Sequence, residues 1–299
     1  NYFYRQNAIN NLLDLVIDKN ADGIDIDFEL LPTNQRENLV LFMQELSTIF
    51  HNEMEDPIIT MATPAVDWSN AWDYNALADL TDGLFIMGYN YFYSGSSTAG
   101  PVSPLGDYFY DLDFTVNDYL TKTNNQSDKL ILGLPYYGYE WPTSDNTIHS
   151  ETTDYGSSII YSTAYDISDT YGYNYDTDSN APWTPYLYNN NWWQAWYDDS
   201  LSLSIKYNYA KDSNLKGVGI WALGYDEGRE ELWNCLEAQF LTFSHGDLNE
   251  DHVINILDVI YIINIILETS TFDINADLNN DTIINIVDVI TLINIILTR

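Results

Sequence analysis

The stretch DGIDIDFE, residues 22–29, decides the fold class of this chain, because acidic and large apolar residues alternate along it. Successive side chains of a β-strand point to opposite faces. One face would therefore carry three carboxylates and the other three apolar side chains, namely Asp25, Asp27 and Glu29 against Ile24, Ile26 and Phe28. Unpaired buried carboxylates are costly, so packing alone gives no reason for such a row. The plain alternative is a half-exposed strand whose acids face water.

Runs typical of buried strands alternate with amphipathic helical patterns around this stretch. The strand-like runs are 24–28, 58–62, 83–89, 129–136 and 217–223, and the helical patterns are 6–20, 36–52 and 201–214. This alternation predicts an α/β domain of the (β/α)8 TIM-barrel type. In such barrels the carboxyl ends of the strands carry the chemistry. The segment at about 142–195 breaks the rhythm, and we interpret it as an α+β insertion with short strands at 184–188 and 192–197.

The charge balance excludes several classes of partner. Asp and Glu number 45 against 10 Lys and Arg, which gives a net charge of -35. Such a field repels nucleic acid and anionic membrane surfaces. No apolar run is long and uncharged enough to span a bilayer, so we expect no membrane insertion. The single cysteine, Cys235, excludes an internal disulfide, and 25 Tyr and 9 Trp offer flat faces suited to sugar rings.

Several motifs together carry a family resemblance. DGIDIDFE matches the D-x-x-D-x-D-x-E pattern of the family 18 glycoside hydrolases, the chitinase family. Further segments follow in the family's order: MGYNY (87–91), PL (104–105), LGLPYYGYEW (132–141) and GVGIWALGYD (217–226). The resemblance covers residues 1 to about 241. It implies a barrel hydrolase acting on N-acetylglucosamine-containing polysaccharide.

The resemblance implies a substrate-assisted mechanism in which the N-acetyl group of the sugar is the nucleophile. Glu29 would be the general acid, held neutral by desolvation and by its neighbours. Asp27 would orient the acetamide N–H, and Asp25 would share a proton or hydrogen bond with Asp27. Tyr89 would bind the acetamide carbonyl oxygen. Catalysis itself requires no cofactor, and the configuration of the sugar is retained.

Four substrate-binding positions also follow from the resemblance: Met87, Asn90, Tyr137 and Trp221, the last as the floor beneath the sugar. Asp22, the first acid of the motif, is expected to be structural. Two positions depart from the family. Asn90 stands where an aspartate is usual, and Tyr139 stands where many members have arginine. Because of these departures, the family's pH dependence and its sugar contacts beyond the cleaved bond are not carried over to this chain.

The acidic strand is the fourth of eight in the family, yet here it begins near residue 23. Three strands are missing before it, and five strands cannot close a barrel of eight. We therefore expect the sequence to be a piece of a longer protein that carries a signal peptide, and we expect weak activity or none from the piece alone.

Residues from Gly246 onward contain an internal duplication. GDLNEDHVINILDVIYIINIIL recurs as ADLNNDTIINIVDVITLINIIL thirty residues later. Each copy resembles an EF-hand calcium loop, in which oxygen ligands occupy positions 1, 3, 5, 9 and 12 and a carbonyl oxygen occupies position 7. The predicted ligands are Asp247, Asn249, Asp251, Val253, Asn255 and Asp258 in the first loop, and Asp277, Asn279, Asp281, Ile283, Asn285 and Asp288 in the second. The cofactor prediction is therefore two Ca²⁺ ions. The alternative is a pair of acidic turns capping two helices.

Aspartate at the last ligand position and one helix after each loop resemble a type I dockerin, which implies residues 246–299 as a domain and a cohesin module as partner. The recognition positions map to Ile256–Leu257 and Ile286–Val287, which are apolar rather than the hydroxyl pairs of cellulosomal examples. His252 and Thr282 replace the usual glycine at loop position six. That position favours positive φ, which costs a β-branched residue most, so we predict weaker calcium binding in the second loop.

The leading hypothesis is a secreted, extracellular chitinase or related β-N-acetylglucosaminidase, attached to a cell-surface complex through its dockerin. Three alternatives stay open. The substrate could be peptidoglycan or the core of N-glycans, the barrel could be an inactive lectin, or the chain could act mainly as an assembly component. The intact series Asp25, Asp27 and Glu29 argues against the lectin.

Overall fold

The structure is a computed structural model of the 299-residue chain. It describes residues 1–240, 246–249, 251, 253–267, 269–270, 273–279 and 281–297. The chain divides into two compact units, Asn1–Leu232 and Trp233–Arg299.

Helices and strands alternate along most of the chain. In order they are α1 (Tyr2–Asp18), β1 (Gly23–Ile26), α2 (Arg36–Glu53), β2 (Ile58–Pro64), α3 (Tyr74–Leu80), β3 (Gly83–Met87), α4 (Leu112–Lys122), β4 (Leu130–Pro135), β5 (Tyr137–Thr143), β6 (Ser157–Ile160), α5 (Tyr161–Tyr171), β7 (Asn174–Asp176), β8 (Ala181–Tyr188), β9 (Asn191–Trp196), α6 (Ser200–Asp212), β10 (Gly217–Trp221), α7 (Glu231–Phe240), α8 (Ile256–Ile266) and α9 (Ile286–Leu297).

Five strands form one parallel sheet in the order β1-β2-β3-β4-β10. The predicted α/β architecture with five strands is confirmed. In the described part of the chain β1 and β10 are the two edge strands and do not pair with each other, so the sheet is open and not a closed barrel.

The strand register places the predicted site residues on one face of this sheet. Asp25 pairs with Thr60 on β2, and Thr60 pairs with Gly83 on β3. Met87, four residues beyond Gly83, pairs with Gly133, while Trp221 pairs with Pro135 on the same strand β4. Because side chains alternate along each strand, the side chains of Asp25, Met87 and Trp221 share a face.

The opposite face of the sheet packs on helices. Ile26 joins a buried core with residues of α1, α2 and α3, among them Ile9, Phe42 and Leu77. Strand β1 ends at Ile26, so the predicted strand 24–28 was too long, and Asp27 and Glu29 lie in the segment that follows β1. Leu30, with φ 54°, turns the chain out of the extended path directly after Glu29.

Phe85 fills part of the face that carries the acids. A Cβ atom at Gly133 would lie 2.3 Å from the Phe85 ring, and one at Gly219 would lie 2.0 Å from it. A side chain at either position would therefore have to displace the Phe85 ring, which lies directly on the backbone of β4 and β10.

The insertion forms a second, antiparallel sheet in the order β6-β5-β9-β8-β7. The predicted strands at 184–188 and 192–197 correspond to β8 and β9. A buried ion pair between Lys206 on α6 and Asp198 follows this sheet, with side chains 0% and 1% exposed.

The second unit contains α8 and α9, which pack through duplicated positions such as Val259 and Val289. Each helix starts directly after its acidic loop, and Asn255 and Asp258 form a capping box at the start of α8. None of the helices that the structure describes is long and apolar enough to cross a membrane.

Candidate functional site

The acids of the DGIDIDFE stretch lie at the carboxyl end of β1 and just beyond it. The Thr60 hydroxyl donates a hydrogen bond of 2.6 Å to Asp25 Oδ1. The surrounding protein partly desolvates this carboxyl even though the residue is exposed, and this burial raises the pKa of Asp25. The Thr60 hydrogen bond opposes the shift, and the charge of Asp27 adds to it. Asp25 and Asp27 are thus electrostatically coupled.

Tyr89 lies two residues after the end of β3 and is half-buried. Burial raises the pKa of its phenol well above the usual value, and the negative charges of Asp27, Glu29 and Asp25 raise it further, in that order. The phenol therefore stays protonated at neutral pH and lies within electrostatic reach of all three acids. A protonated phenol can act as a neutral hydrogen-bond donor.

Two further predicted residues contact each other beside Tyr89. The Tyr137 hydroxyl donates a hydrogen bond of 2.7 Å to Asn90 Oδ1, and the Tyr137 ring meets the Tyr89 ring edge-on at 5.8 Å between centroids. Asn90 adopts φ 62°, in the left-handed region that asparagine tolerates well. Here the departure from the family's aspartate supplies an acceptor for a phenol without adding a charge.

A cavity of about 420 Å³ opens beside the acids. Its lining includes Glu29 and Met87, together with Pro32, Val66, Trp68 and Trp72. The structure thus brings two of the predicted site residues into one cavity.

Trp221 lies apart from this cavity. It is 48% exposed at the end of edge strand β10, and its peptide bond to Ala222 is cis. It shares the sheet face of Asp25, yet no hydrogen bond or ring contact joins it to Glu29 among the residues described. Trp221, the predicted floor beneath the sugar, therefore lies on edge strand β10, whereas Glu29, the predicted general acid, follows the opposite edge strand β1.

The exposure of the acids differs from the sequence-based expectation. Asp25, Asp27 and Glu29 are all exposed, whereas Glu29 was expected to be desolvated. Water reaches them because β1 is an edge strand and Glu29 lies in the segment after it. This exposure is what the half-exposed-strand alternative predicts. That alternative does not account for the position of Tyr89 among the three acids.

Sequence reasoning missed Thr60 and the aromatic residues Trp68 and Trp72. Thr60 could have been found, because its strand was predicted and the register of a neighbouring strand would place a residue beside Asp25. Trp68 and Trp72 belong to the segment DWSNAW, residues 67–72, which follows the carboxyl end of β2 at Pro64. Functional residues of β/α barrels lie at the carboxyl ends of the strands, and this rule was the signal that could have found them.

In the first acidic loop, aspartate side chains accept hydrogen bonds from backbone N–H groups of the same loop. Asp258 is fully buried, and its carboxylate accepts hydrogen bonds from the N–H groups of Leu248, Asn249 and Asn255. The Asp251 carboxylate accepts a hydrogen bond from Val253 N–H at 2.9 Å. Arg299 is the only Lys or Arg from Gly246 onward, so neither loop contains a lysine or arginine to neutralise the acids.

The second loop repeats this arrangement. Asp288 is fully buried and accepts hydrogen bonds from the N–H groups of Leu278, Asn279 and Asn285. Thr282 adopts φ 72°, as its loop position predicts, while His252, the matching residue of the first loop, lies outside the described residues.

The donor set of each loop fits calcium chemically. Carboxylate, amide and carbonyl oxygens suit a hard cation. No group of three or more His, Cys, Asp or Glu in the described part of the chain has the spacing of a metal site. Each predicted set contains three carboxylates, two amide oxygens and one backbone carbonyl oxygen. The predicted holders of calcium are therefore the twelve residues named from the sequence.

The second unit also exposes apolar side chains in duplicated pairs. Ile256 and Ile286 are 63% and 62% exposed, and the following positions, Leu257 and Val287, are 51% and 46% exposed. Ile260 is 47% exposed one turn later on α8. Exposed apolar groups repeated in this way are typical of a protein-binding surface.

The chain thus combines a β/α domain, with a row of acids at one edge strand, and in sequence after it a duplicated acidic loop–helix unit. The profile of the glycosyl hydrolases family 18 matches residues 3–226, and that of the dockerin type I domain matches residues 245–297. The chain belongs to glycosyl hydrolase family 18 and continues into a type I dockerin domain.

Known proteins support this assignment at a distance. The chain is 28% identical over 225 residues to the cortical fragment-lytic enzyme of Bacillus subtilis, covering 73% of this chain and 49% of that protein. It is 27% identical over 277 residues to di-N-acetylchitobiase of Homo sapiens, covering 80% of this chain and 69% of that one. The crystal structure of a family 18 chitinase from Cycas revoluta superimposes with a TM-score of 0.73 at 21% identity, covering 80% and 74% of the two chains, which shows a shared fold. The chain spans about half the length of the Bacillus relative.

Proposed function

We propose that the family 18 domain hydrolyses β-1,4 linkages of N-acetylglucosaminyl polymers, such as chitin or its oligosaccharides, with the substrate's acetamide as nucleophile. The observation that carries this proposal is the position of the half-buried Tyr89 just after β3, within electrostatic reach of Asp25, Asp27 and Glu29 at and after the end of β1. A neutral donor beside carboxylates matches both ends of an acetamide, since the phenol can bind the carbonyl oxygen and a carboxylate can accept the N–H.

In the proposed reaction Glu29 donates its proton to the glycosidic oxygen as the bond to the anomeric carbon breaks. The acetamide oxygen of the same sugar attacks that carbon and forms a cyclic cation. Asp27 accepts a hydrogen bond from the acetamide nitrogen and stabilises the positive charge, and its own charge contributes to the raised pKa of Asp25. Water then attacks the anomeric carbon and gives its proton to Glu29, so the configuration is retained.

Release of N-acetylglucosamine oligomers from a soluble hexamer tests this proposal. Loss of a general acid lowers rates by roughly 10²–10⁴-fold, so Glu29→Gln should reduce hydrolysis by that factor while keeping sugar binding. Glu37→Gln on α2 is the matched control, since Glu37 is an exposed glutamate outside the acid row. Measurable hydrolysis by the parent chain at a rate equal to that of Glu29→Gln would contradict the proposal.

Two alternatives correspond to other outcomes of this assay. The similarity to a cortical fragment-lytic enzyme favours a peptidoglycan-type substrate as the second candidate. Hydrolysis of peptidoglycan fragments but not of N-acetylglucosamine hexamer would support that candidate. Binding of sugar without hydrolysis of either substrate would support the lectin.

We also propose that the dockerin domain binds two Ca²⁺ ions and then a cohesin module, which would hold the enzyme outside the cell on a surface complex. The exposed pairs Ile256–Ile286 and Leu257–Val287 support an apolar interface with that partner. Calorimetric titration should find two calcium sites, and a panel of cohesin modules should bind only in the presence of calcium. Ile256→Asp combined with Ile286→Asp should abolish cohesin binding and leave both calcium sites, whereas binding that survives in EDTA would contradict the proposal.

A further inference from the structure

A second cavity of the first unit, of about 540 Å³, is lined by α5 and by the first residues of α6 and α7. It shares no described residue with the cavity that Glu29 lines. Four of its lining residues are tyrosines, so we call it the tyrosine cavity. They are Tyr161, Tyr165, Tyr173 and Tyr197.

The tyrosine rings approach this cavity from different sides. The centroid of the Tyr161 ring lies 6.1 Å from that of Tyr165 and 6.2 Å from that of Tyr197, and the ring planes are inclined by 58° and 53°. Tyr161 and Tyr197 are buried, so the core of the domain fixes this part of the wall. Tyr165 and Tyr173 are 37% and 50% exposed and leave aromatic surface in water. Packing accounts for the buried pair but not for the exposed one.

Three carboxylates join the tyrosines in the lining, namely those of Asp169, Asp199 and Glu231. The Tyr161 hydroxyl donates a hydrogen bond of 3.0 Å to Glu231, and the Tyr173 hydroxyl donates one of 2.9 Å to Asp199. Among the residues that the structure describes, none of the three acids forms an ion pair, and no lysine, arginine or histidine lines the cavity. The cavity therefore combines aromatic rings with negative charge that no cation balances.

One of these rings already binds a cation within the protein. The guanidinium carbon of Arg229 lies 4.1 Å from the centre of the Tyr165 ring, and the same guanidinium pairs with Asp166 at 2.5 Å. An aromatic face and a carboxylate thus share one cation beside the cavity. The cavity offers the same two kinds of group to a cation from solution.

An organic ammonium group fits this lining better than a metal ion does. In the part of the chain that the structure describes, no three acids or other metal-binding side chains are grouped so that they could hold a metal ion. An alkylammonium group presents N–H donors to carboxylates and C–H groups to aromatic faces. The volume lies in the range of small-molecule sites, and the net charge of -35 attracts cations from solution.

We propose that the tyrosine cavity binds an organic ammonium group. Tyr165 and Tyr173 supply the exposed aromatic faces, and the three carboxylates of the lining supply the counter-charge. The ammonium group could belong to an amino sugar with a free amino group or to an alkylamine, and the two sources share this chemistry. The inference goes beyond the proposed function, because binding here requires no reaction at Glu29.

Calorimetric titration of the chain at low ionic strength tests the proposal, with the β-1,4 dimer of glucosamine and 1,5-diaminopentane as probes. Tyr173→Ala should weaken amine binding about five-fold, and Tyr173→Phe should retain most of the affinity because it keeps the ring. Asp169→Asn should weaken binding two- to five-fold. The matched controls are Tyr188→Ala, which removes a 55% exposed ring from β8, and Glu53→Gln, which removes an exposed carboxylate from α2. Neither control should change the affinity.

Tighter binding of the glucosamine dimer would support the proposal with an amino sugar as the source, and tighter binding of the diamine would support it with an alkylamine. The proposal is overturned if neither amine binds, or if Tyr173→Ala leaves the affinity unchanged. It is also overturned if Glu53→Gln weakens binding as much as Asp169→Asn, because that result indicates general attraction to an acidic surface. Asp169→Asn provides the decisive comparison if Tyr173→Ala does not fold.

Failure of this proposal is distinguishable from failure of the proposed function. Hydrolysis of N-acetylglucosamine hexamer by Tyr173→Ala should equal that by the parent chain, because Tyr173 does not line the cavity at Glu29. Loss of amine binding with unchanged hydrolysis would support a separate site. Loss of hydrolysis together with amine binding would overturn the separation of the two sites.

Discussion

Lys206→Met should be among the most destabilising substitutions in the first unit. Lys206 and Asp198 form an ion pair whose side chains are 0% and 1% exposed. Burial raises the pKa of Asp198 and lowers that of Lys206, and their mutual attraction opposes both shifts. Methionine keeps the volume of the lysine stem but leaves the Asp198 carboxylate buried without its cation.

The expected cost follows from that burial. Removing one partner of a buried pair destabilises a protein by about 3–5 kcal/mol. For a domain of this size that loss corresponds to a fall in Tm of roughly 10 °C. Lys122→Met is the matched control, because Lys122 pairs with Asp118 at a surface position where its side chain is 42% exposed. An exposed i,i+4 pair contributes about 0.5 kcal/mol or less.

Urea denaturation at two pH values checks this reasoning. In Lys206→Met the native state holds a proton on Asp198 that the unfolded state releases, so the variant gains stability relative to the parent as pH falls toward the ordinary pKa of aspartate. The deficit should therefore be smaller at pH 5 than at pH 8. Replacing Asp198 by Leu as well should recover most of the loss. A cost for Lys206→Met no larger than that for Lys122→Met would refute the account of a buried pair.

Three further predictions concern backbone strain, charge and packing. Thr282→Gly removes a strain of about 1–2 kcal/mol at φ 72°, so calcium should bind the second loop several-fold more tightly by calorimetry, and unchanged affinity would argue against strain. Asp25→Asn should stabilise the first unit at pH 7, because desolvation and the charge of Asp27 raise the pKa of Asp25, and the gain should vanish below about pH 3, where aspartate is protonated in both states. An equal gain in urea midpoint at both pH values would contradict that cause. Gly219→Ala should cost about 1–3 kcal/mol in urea denaturation, because its Cβ would lie 2.0 Å from the Phe85 ring, and a neutral effect would mean that the ring is free to move.

Hydrophobic periodicity was sufficient to predict the central sheet. All five strands and the three helical patterns appear at their predicted places, because buried strands and amphipathic helices leave strong local signals. The end of β1 was not predictable. Alternation continues through Phe28, but pairing with β2 stops at Ile26, and the positive φ of Leu30 turns the chain away.

The roles of the candidate site residues stay predictions. Motif spacing identified the acids and Tyr89, and the charges of the three acids raise the pKa of the Tyr89 phenol. Exposure of Glu29 could not be predicted, since it depends on which strands flank β1. The separation of Trp221 from the cavity has the same origin. Trp68 was missed because a tryptophan in a polar loop has no periodic pattern, and the fold alone places it in the cavity that Glu29 lines.

The central claim is that the acid row and Tyr89 recognise an acetamide. Calorimetric comparison of an N-acetylglucosamine hexamer with a glucose hexamer of the same β-1,4 linkage tests it most directly, because the two chains differ only in that group. The account predicts that the Glu29→Gln chain binds the acetamido chain at least ten-fold more tightly, and that Tyr89→Phe, added to it, removes most of this difference. Equal affinity for the two chains, or a preference that Tyr89→Phe leaves intact, would contradict it.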